Sequence, residues 1–257
     1  MRALRLPGAG GHIRWLDLPG REGDGRVVVF LHGLGCAGTA DYPQVAAQPE
    51  LAGSRAVVVD LLGHGYSDRP EAFGYSLHDH ARSVAAVLDH CGIRGAALVG
   101  HSMGGAVAIV LASERPELFS RVVVAEPNWH AGGGLYSRAV AAYTEADFSA
   151  YGFGEVLAGY EPAYAARVRV TAPFALHRSA VGLVRGTEPD MGARFLALPH
   201  ARALVVGARS RPYEDEDVMR EAGVPVLEVP EAGHDLSHDN PRGFAAALAA
   251  ALALGVA

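Results

Sequence analysis

The sequence contains no lysine: all 22 of its lysine-plus-arginine positions are arginine. That absence excludes Schiff-base chemistry on a lysine and the lysine of a phosphate-binding P-loop. Gly8 to Gly11 is accordingly no phosphate loop, since no buried strand precedes it either. Cysteine is almost as scarce. Cys36 and Cys91 stand far apart without zinc-type spacing, and with no secretory signal they read as two buried thiols rather than a disulfide. The 12 histidines are scattered, without the helical i, i+4 pair that zinc sites often use, so no metal and no cofactor are expected. A basic stripe is also missing. The balance of 22 basic against 28 acidic residues gives a formal charge of -6, which argues against nucleic acid as a partner. Long apolar runs are lacking at both ends. Met1 to Gly8 has no signal-peptide core, and the alanine-rich run from Phe244 to Ala257 is short for a bilayer. A cytoplasmic chain with no membrane partner is the expectation.

What the chain does have is a large apolar fraction, 50% hydrophobic against 19% charged over 257 residues, enough for one sizeable α/β domain or a domain with an insertion. Ile13 to Asp17 alternates like an early antiparallel strand, paired with Leu4 to Leu6. Short continuous apolar runs follow: Val27 to Leu31, Ala56 to Asp60, Ala96 to Val99, Val122 to Ala125, Ala203 to Val206 and Val224 to Val229. Such runs suit strands buried on both faces, as in a parallel sheet. Ser76 with Asp79 resembles a capping box opening a helix over Leu77 to His90, and Asn240-Pro241 opens another. The fold class is therefore α/β, a doubly wound and mostly parallel sheet. The rhythm breaks between 130 and 198, read as a helical cap inserted into a core of 1–129 and 199–257. Gly132-Gly133-Gly134 is a candidate hinge at its entry. The cap holds nine aromatic residues between Tyr136 and Phe195, some packing its own core and the rest implying an apolar pocket.

The chemistry centres on Gly100-His101-Ser102-Met103-Gly104, set between an apolar strand and a helical stretch. Strand, G-x-S-x-G, helix is the context of a nucleophile elbow, where a sharp turn lifts the Ser102 hydroxyl out of the fold. A serine hydroxyl needs a base to take its proton. His234, on a glycine-preceded loop after the last strand and before the final helix, is placed to lean back over the elbow. His238 is its neighbour and competitor, expected to be solvated. His32 and His64 read as structural loop residues, His101 as a packed side chain pointing away from the elbow, and Cys36 as an inert buried thiol.

Taken together, Phe30-Leu31-His32-Gly33-Leu34-Gly35, Asp60 to Asp68, Gly100 to Gly105 and Gly233-His234 make the chain similar to the α/β-hydrolase family over nearly its whole length. The resemblance implies a triad in the chain order serine, acid, histidine. In the commonest pattern the acid follows the penultimate strand as Gly-x-x-Asp, but here Gly207-Ala208-Arg209-Ser210 puts serine in its place. Glu126, after the strand that follows the elbow's own, matches the position some members use. Glu214 and Asp215 remain alternates on the usual loop. The resemblance also implies an oxyanion hole from the backbone N–H groups of Leu34 and Met103. A serine at the elbow speaks against epoxide opening and dehalogenation, for which relatives use a carboxylate there.

The expected activity is hydrolysis of a small or medium, partly apolar acyl substrate, carboxylic ester first, with thioester, lactone or carbon–carbon cleavage behind. A lyase, cyclase or acyltransferase using the same triad is the alternative, and a ligand-binding sensor on the same scaffold a further one, because fold constrains reaction weakly.

Overall fold

The computed structural model describes residues 1–20 and 25–254, so the end of the alanine-rich run, 255–257, lies outside the described residues. The strands are β1 (Arg2–Leu6), β2 (Gly11–Leu18), β3 (Val27–Leu31), β4 (Arg55–Asp60), β5 (Ala96–His101), β6 (Phe119–Ala125), β7 (Ala201–Gly207) and β8 (Val226–Val229). Among the described residues they form one eight-stranded sheet in the order β1-β2-β4-β3-β5-β6-β7-β8. β1 and β2 pair antiparallel with Leu4 opposite Ile13, and β2 runs antiparallel to β4. All remaining neighbours are parallel. The apolar runs thus form the doubly wound sheet their continuity predicts.

Two-residue periodicity sorts these strands onto two cores. Val29, Leu31, Val57, Val59 and Leu98 face the helices Leu77–His90 and Met103–Glu114. Val28, Phe30, Val58 and Val99 face the C-terminal helix Pro241–Ala253. Both faces are covered, so every central strand is apolar on both sides. Helix Met103–Glu114 is buried from Met103 through Ala112, which explains why its sequence is apolar all round rather than amphipathic. Ser76 and Asp79 close the predicted capping box, and Asn240 caps the last helix by accepting from the Gly243 N–H at 2.8 Å.

Between β6 and β7 lies a run of helices that includes Leu135–Ala141, Phe153–Ala158, Pro162–Val168, Pro173–Arg185 and Met191–Ala197. Phe148 and Phe195 are fully buried: the first, beside Tyr143 and Phe153, serves the packing of this helical run itself, whereas the second, beside Trp129, joins the run to the residues after β6. The glycine run at its entry is tied down: the Gly132 N–H donates to the Val184 carbonyl at 2.7 Å. Cys36 is buried and Cys91 half-buried, and both are free thiols. Among the described residues, no helix is long and apolar enough to cross a membrane, and no three histidine, cysteine or carboxylate side chains gather into a metal-binding group.

Candidate active site

Ser102 sits where β5 ends and helix Met103–Glu114 begins, with φ +51°. A side chain held in that left-handed region is strained, and the surroundings hold it there. The Ser102 N–H donates to the Ala125 carbonyl at 2.9 Å, and helix bonds from Gly105 and Ala106 return to the Ser102 carbonyl. Gly104 is required at this turn: a Cβ there would lie 2.3 Å from the Leu31 carbonyl oxygen. The elbow therefore closes directly onto the end of β3.

Glu126 is the first residue after β6, and it too has a positive φ, +43°. Its backbone N–H donates to the Val205 carbonyl, and its side chain is almost fully buried. Burial opposes its charge. The hydrogen bond from His234, the backbone N–H of Gly207 at 2.8 Å and the Ser210 hydroxyl outweigh that opposition and hold the carboxyl below its usual value. Ser210, standing where the commonest pattern has aspartate, thus bears on the Glu126 carboxylate.

His234 Nδ1 lies 2.7 Å from Glu126 Oε2, and its Nε2 lies 3.1 Å from Ser102 Oγ. A carboxylate only accepts, so Nδ1 carries the ring proton and Nε2 is left to accept from the serine hydroxyl. The three residues predicted as catalytic are brought into one hydrogen-bonded chain. The predicted oxyanion donors flank it. Met103 is the first residue of the elbow helix, and Leu34 follows Gly33, where an added Cβ would sit 3.4 Å from Ser102 Cβ. The alternate acids lie elsewhere. Asp215 pairs with His130, which also has Asp190 3.6 Å away, and Glu214 shares the Asp215 loop.

His101 is packed as expected, and it also bears on the site: its Nε2 donates to the His234 carbonyl at 2.7 Å, and the two rings stand 4.8 Å apart. Burial, then the neighbouring His234, pushes His101 down to about 4, so it serves as a neutral donor bracing the loop. His238 is exposed, as expected, and its Nε2 also meets Asp41 Oδ1 at 3.0 Å. His32 and His64 hold turns as expected, with the Leu61 N–H donating to His32 Nε2 and His64 Nδ1 donating to the Leu62 carbonyl. Burial, then nearby Asp41, keeps the Cys36 thiol well above its usual value and unreactive. Residues without any local signal also reach this site. Tyr164, from helix Pro162–Val168, donates to the Leu34 carbonyl at 2.8 Å, and Arg167 on the same helix pairs with Asp235.

With this geometry in view, residues 26–155 match the alpha/beta hydrolase fold family. The chain belongs to the α/β-hydrolase family. It is 39% identical over 104 residues to a 2-hydroxymuconate semialdehyde hydrolase of Pseudomonas sp. (strain CF600), a stretch covering 40% of this chain and 37% of that protein. It is 35% identical over 99 residues to the sn-1-specific diacylglycerol lipase ABHD11 of Mus musculus, covering 38% of this chain and 32% of that protein. The chain thus spans about a third of the length of these curated relatives. Among solved structures, an esterase from Thermogutta terrifontis superposes with a TM-score of 0.78 at 20% identity, covering 98% of both chains. The esterase EaEST from Exiguobacterium antarcticum superposes at 0.75 with 24% identity, over 94% of this chain and 95% of that one. These α/β-hydrolase structures share the fold over nearly the whole chain, whereas the matches to the two curated relatives cover only part of it.

Proposed function

We propose that this α/β-hydrolase chain is a serine hydrolase cleaving a small or medium, partly apolar carboxylic ester through an acyl-enzyme. The observation that carries the reading is the Ser102–His234–Glu126 hydrogen-bonded chain. His234 Nε2 takes the Ser102 proton as Oγ attacks the ester carbonyl carbon, and the oxygen that gains charge is received by the N–H groups of Leu34 and Met103. The first-turn position of Met103 adds the positive end of its helix. His234 then gives the proton to the leaving alcohol, and water deprotonated by the same ring releases the acid. Glu126 fixes the tautomer and stabilises the imidazolium throughout.

The substrate class follows from the wall of helix and ring beside Leu34. Tyr136, Tyr160 and Tyr164 stand with ring centroids 4.9 to 5.1 Å apart, and Tyr164 touches the Leu34 carbonyl. Such a surface favours an apolar substrate over a charged one. The insertion acts as the cap over that pocket, and the chain works in the cytoplasm on a small-molecule acyl compound without a cofactor.

A panel of p-nitrophenyl esters of increasing chain length, with Ser102→Ala beside the parent, tests this. The parent should turn over a short or medium ester and label at Ser102 with a fluorophosphonate, located by mass spectrometry; the variant should do neither. Undiminished turnover by Ser102→Ala overturns the mechanism. Products formed only with an added acceptor would turn the reading to acyl transfer, and ligand-induced stabilisation without product would turn it to a sensor.

A further inference from the structure

Helix Pro162–Val168 rests on both loops that carry the chemistry. Residues 164, 167 and 168 stand at i, i+3 and i+4, so they share one face. Tyr164 donates to the Leu34 carbonyl, and Val168 fills the space beside Gly35, where a Cβ would come within 2.8 Å of its Cγ2. Between them Arg167 forks. Its Nη2 meets Asp235 Oδ2, while its Nη1 lies 3.2 Å from Asp235 Oδ1 and 3.4 Å from Asp41 Oδ1. Asp235 is the residue after His234, and Asp41 ends the short helix Gly38–Asp41 that follows the Leu34 loop. The Arg167 and Asp41 side chains are only 10% and 5% exposed, so the guanidinium is a nearly buried cation between two carboxylates.

We propose that Arg167 is a positioning residue for the serine chemistry: through Asp235 it holds the His234 ring in register with Ser102, and through Asp41 it ties the Leu34 loop to the same helix. This rests on the serine-hydrolase reading of the site. The planar fork suits the task, since one guanidinium engages Asp235 with two donors and still reaches Asp41. A ring displaced by a fraction of an ångström from Oγ loses the alignment that proton transfer needs. Because Arg167 acts on the ring's position and not on substrate, its loss should slow the chemistry and leave substrate binding nearly unchanged.

The rate of fluorophosphonate labelling at Ser102 reports nucleophile activation without knowledge of the natural substrate. Arg167→Ala should label about tenfold more slowly than the parent, with KM for a p-nitrophenyl ester changed by less than about threefold. Millimolar guanidinium should restore much of the rate, where equal sodium chloride does not, and Arg167→Lys should fall between parent and Arg167→Ala. A purely structural role lowers the melting temperature and leaves labelling of the folded protein at the parental rate, which overturns the proposal. Should Arg167→Ala fail to fold, Asp235→Asn decides, because Asp235 is 39% exposed and tolerates the change. It should label about threefold more slowly, and a parental rate overturns the proposal. A parent that does not label at all overturns the reading of Ser102 itself, and this inference with it.

Discussion

Glu126 Oε2 lies 2.7 Å from His234 Nδ1 across 108 residues of sequence, so the carboxylate that meets this ring stands at the end of β6 rather than in the loop after β7. The usual place is held by Ser210, whose hydroxyl bears on the same carboxylate. Glu126→Gln keeps the shape but cannot stabilise an imidazolium, and kcat on a p-nitrophenyl ester should fall by about 10² to 10⁴. In an Glu126→Ala background, Ser210→Asp should recover part of that loss by restoring a carboxylate from the neighbouring loop. A Glu126→Gln enzyme as fast as the parent removes Glu126 from the relay.

The tightness of the elbow is testable independently of activity. A methyl group on Gly104 would meet the Leu31 and His32 carbonyl oxygens at 2.3 and 2.5 Å, and these are backbone atoms that cannot swing aside. Gly104→Ala should cost about 3 kcal/mol or prevent folding, as overpacking against backbone does. Gly53→Ala meets open space and should stay within about 0.5 kcal/mol of the parent. Denaturant midpoints of the two variants compare them, and equal midpoints refute the steric account.

Why the sequence foretold some of this and not the rest follows from the range of each interaction. The strand runs, the Ser76–Asp79 box and the elbow are local: periodicity, caps and glycine spacing lie within a few residues of each other. Glu126 is legible through the family resemblance, in which some members carry their acid at the end of the strand after the elbow's own. Arg167 meeting Asp235 gives no such signal, since 68 residues and an irregular helical insertion separate them. The partner of His101 is silent in the sequence for a related reason. Alternation along β5 fixes which way its ring points, but not that the His234 loop folds over to receive its Nε2 hydrogen.

On the antiparallel side of the sheet, Asp68 ties β2 to the turn after β4. Its Oδ2 accepts from the His12 N–H at 2.8 Å, and its Oδ1 pairs with Arg14. Partial burial works against the charge, but Arg14 and His12 prevail and bring the carboxyl down from 3.8 to about 2. A carboxyl lowered in the folded state stabilises above its unfolded value of 3.8, and that stability is lost as the pH falls through 2. With the side chain 36% exposed, screening leaves about 1 kcal/mol of the effect. Asp68→Asn should therefore unfold more easily than the parent at pH 6, and the gap should close between pH 4 and pH 2 in urea titrations. A gap constant across that window refutes the pairing.

His80 also weakens the fold on the acid side, but over a higher pH range and by a different cause. Its ring is buried against Phe73 and Tyr75, with Nε2 at 3.1 Å from Ser179 Oγ, and the His64 ring stands 6.2 Å away. Burial, then nearby His32, pushes His80 from 6.5 down to about 3, so it stays neutral in the fold while the unfolded chain takes up a proton. A base lowered in this way costs stability as pH falls below 6.5, at about 1.4 kcal/mol per pH unit, until the folded group also titrates near 3. His80→Phe keeps an aromatic ring in the site and removes the titration. At pH 7 it should be less stable than the parent, because Ser179 loses its partner. Between pH 6 and pH 4 the difference should shrink and then reverse, as only the parent pays the protonation cost. Parallel stability curves for the two proteins over that interval would mean that the His80 ring is already charged, or already wet, in the folded state.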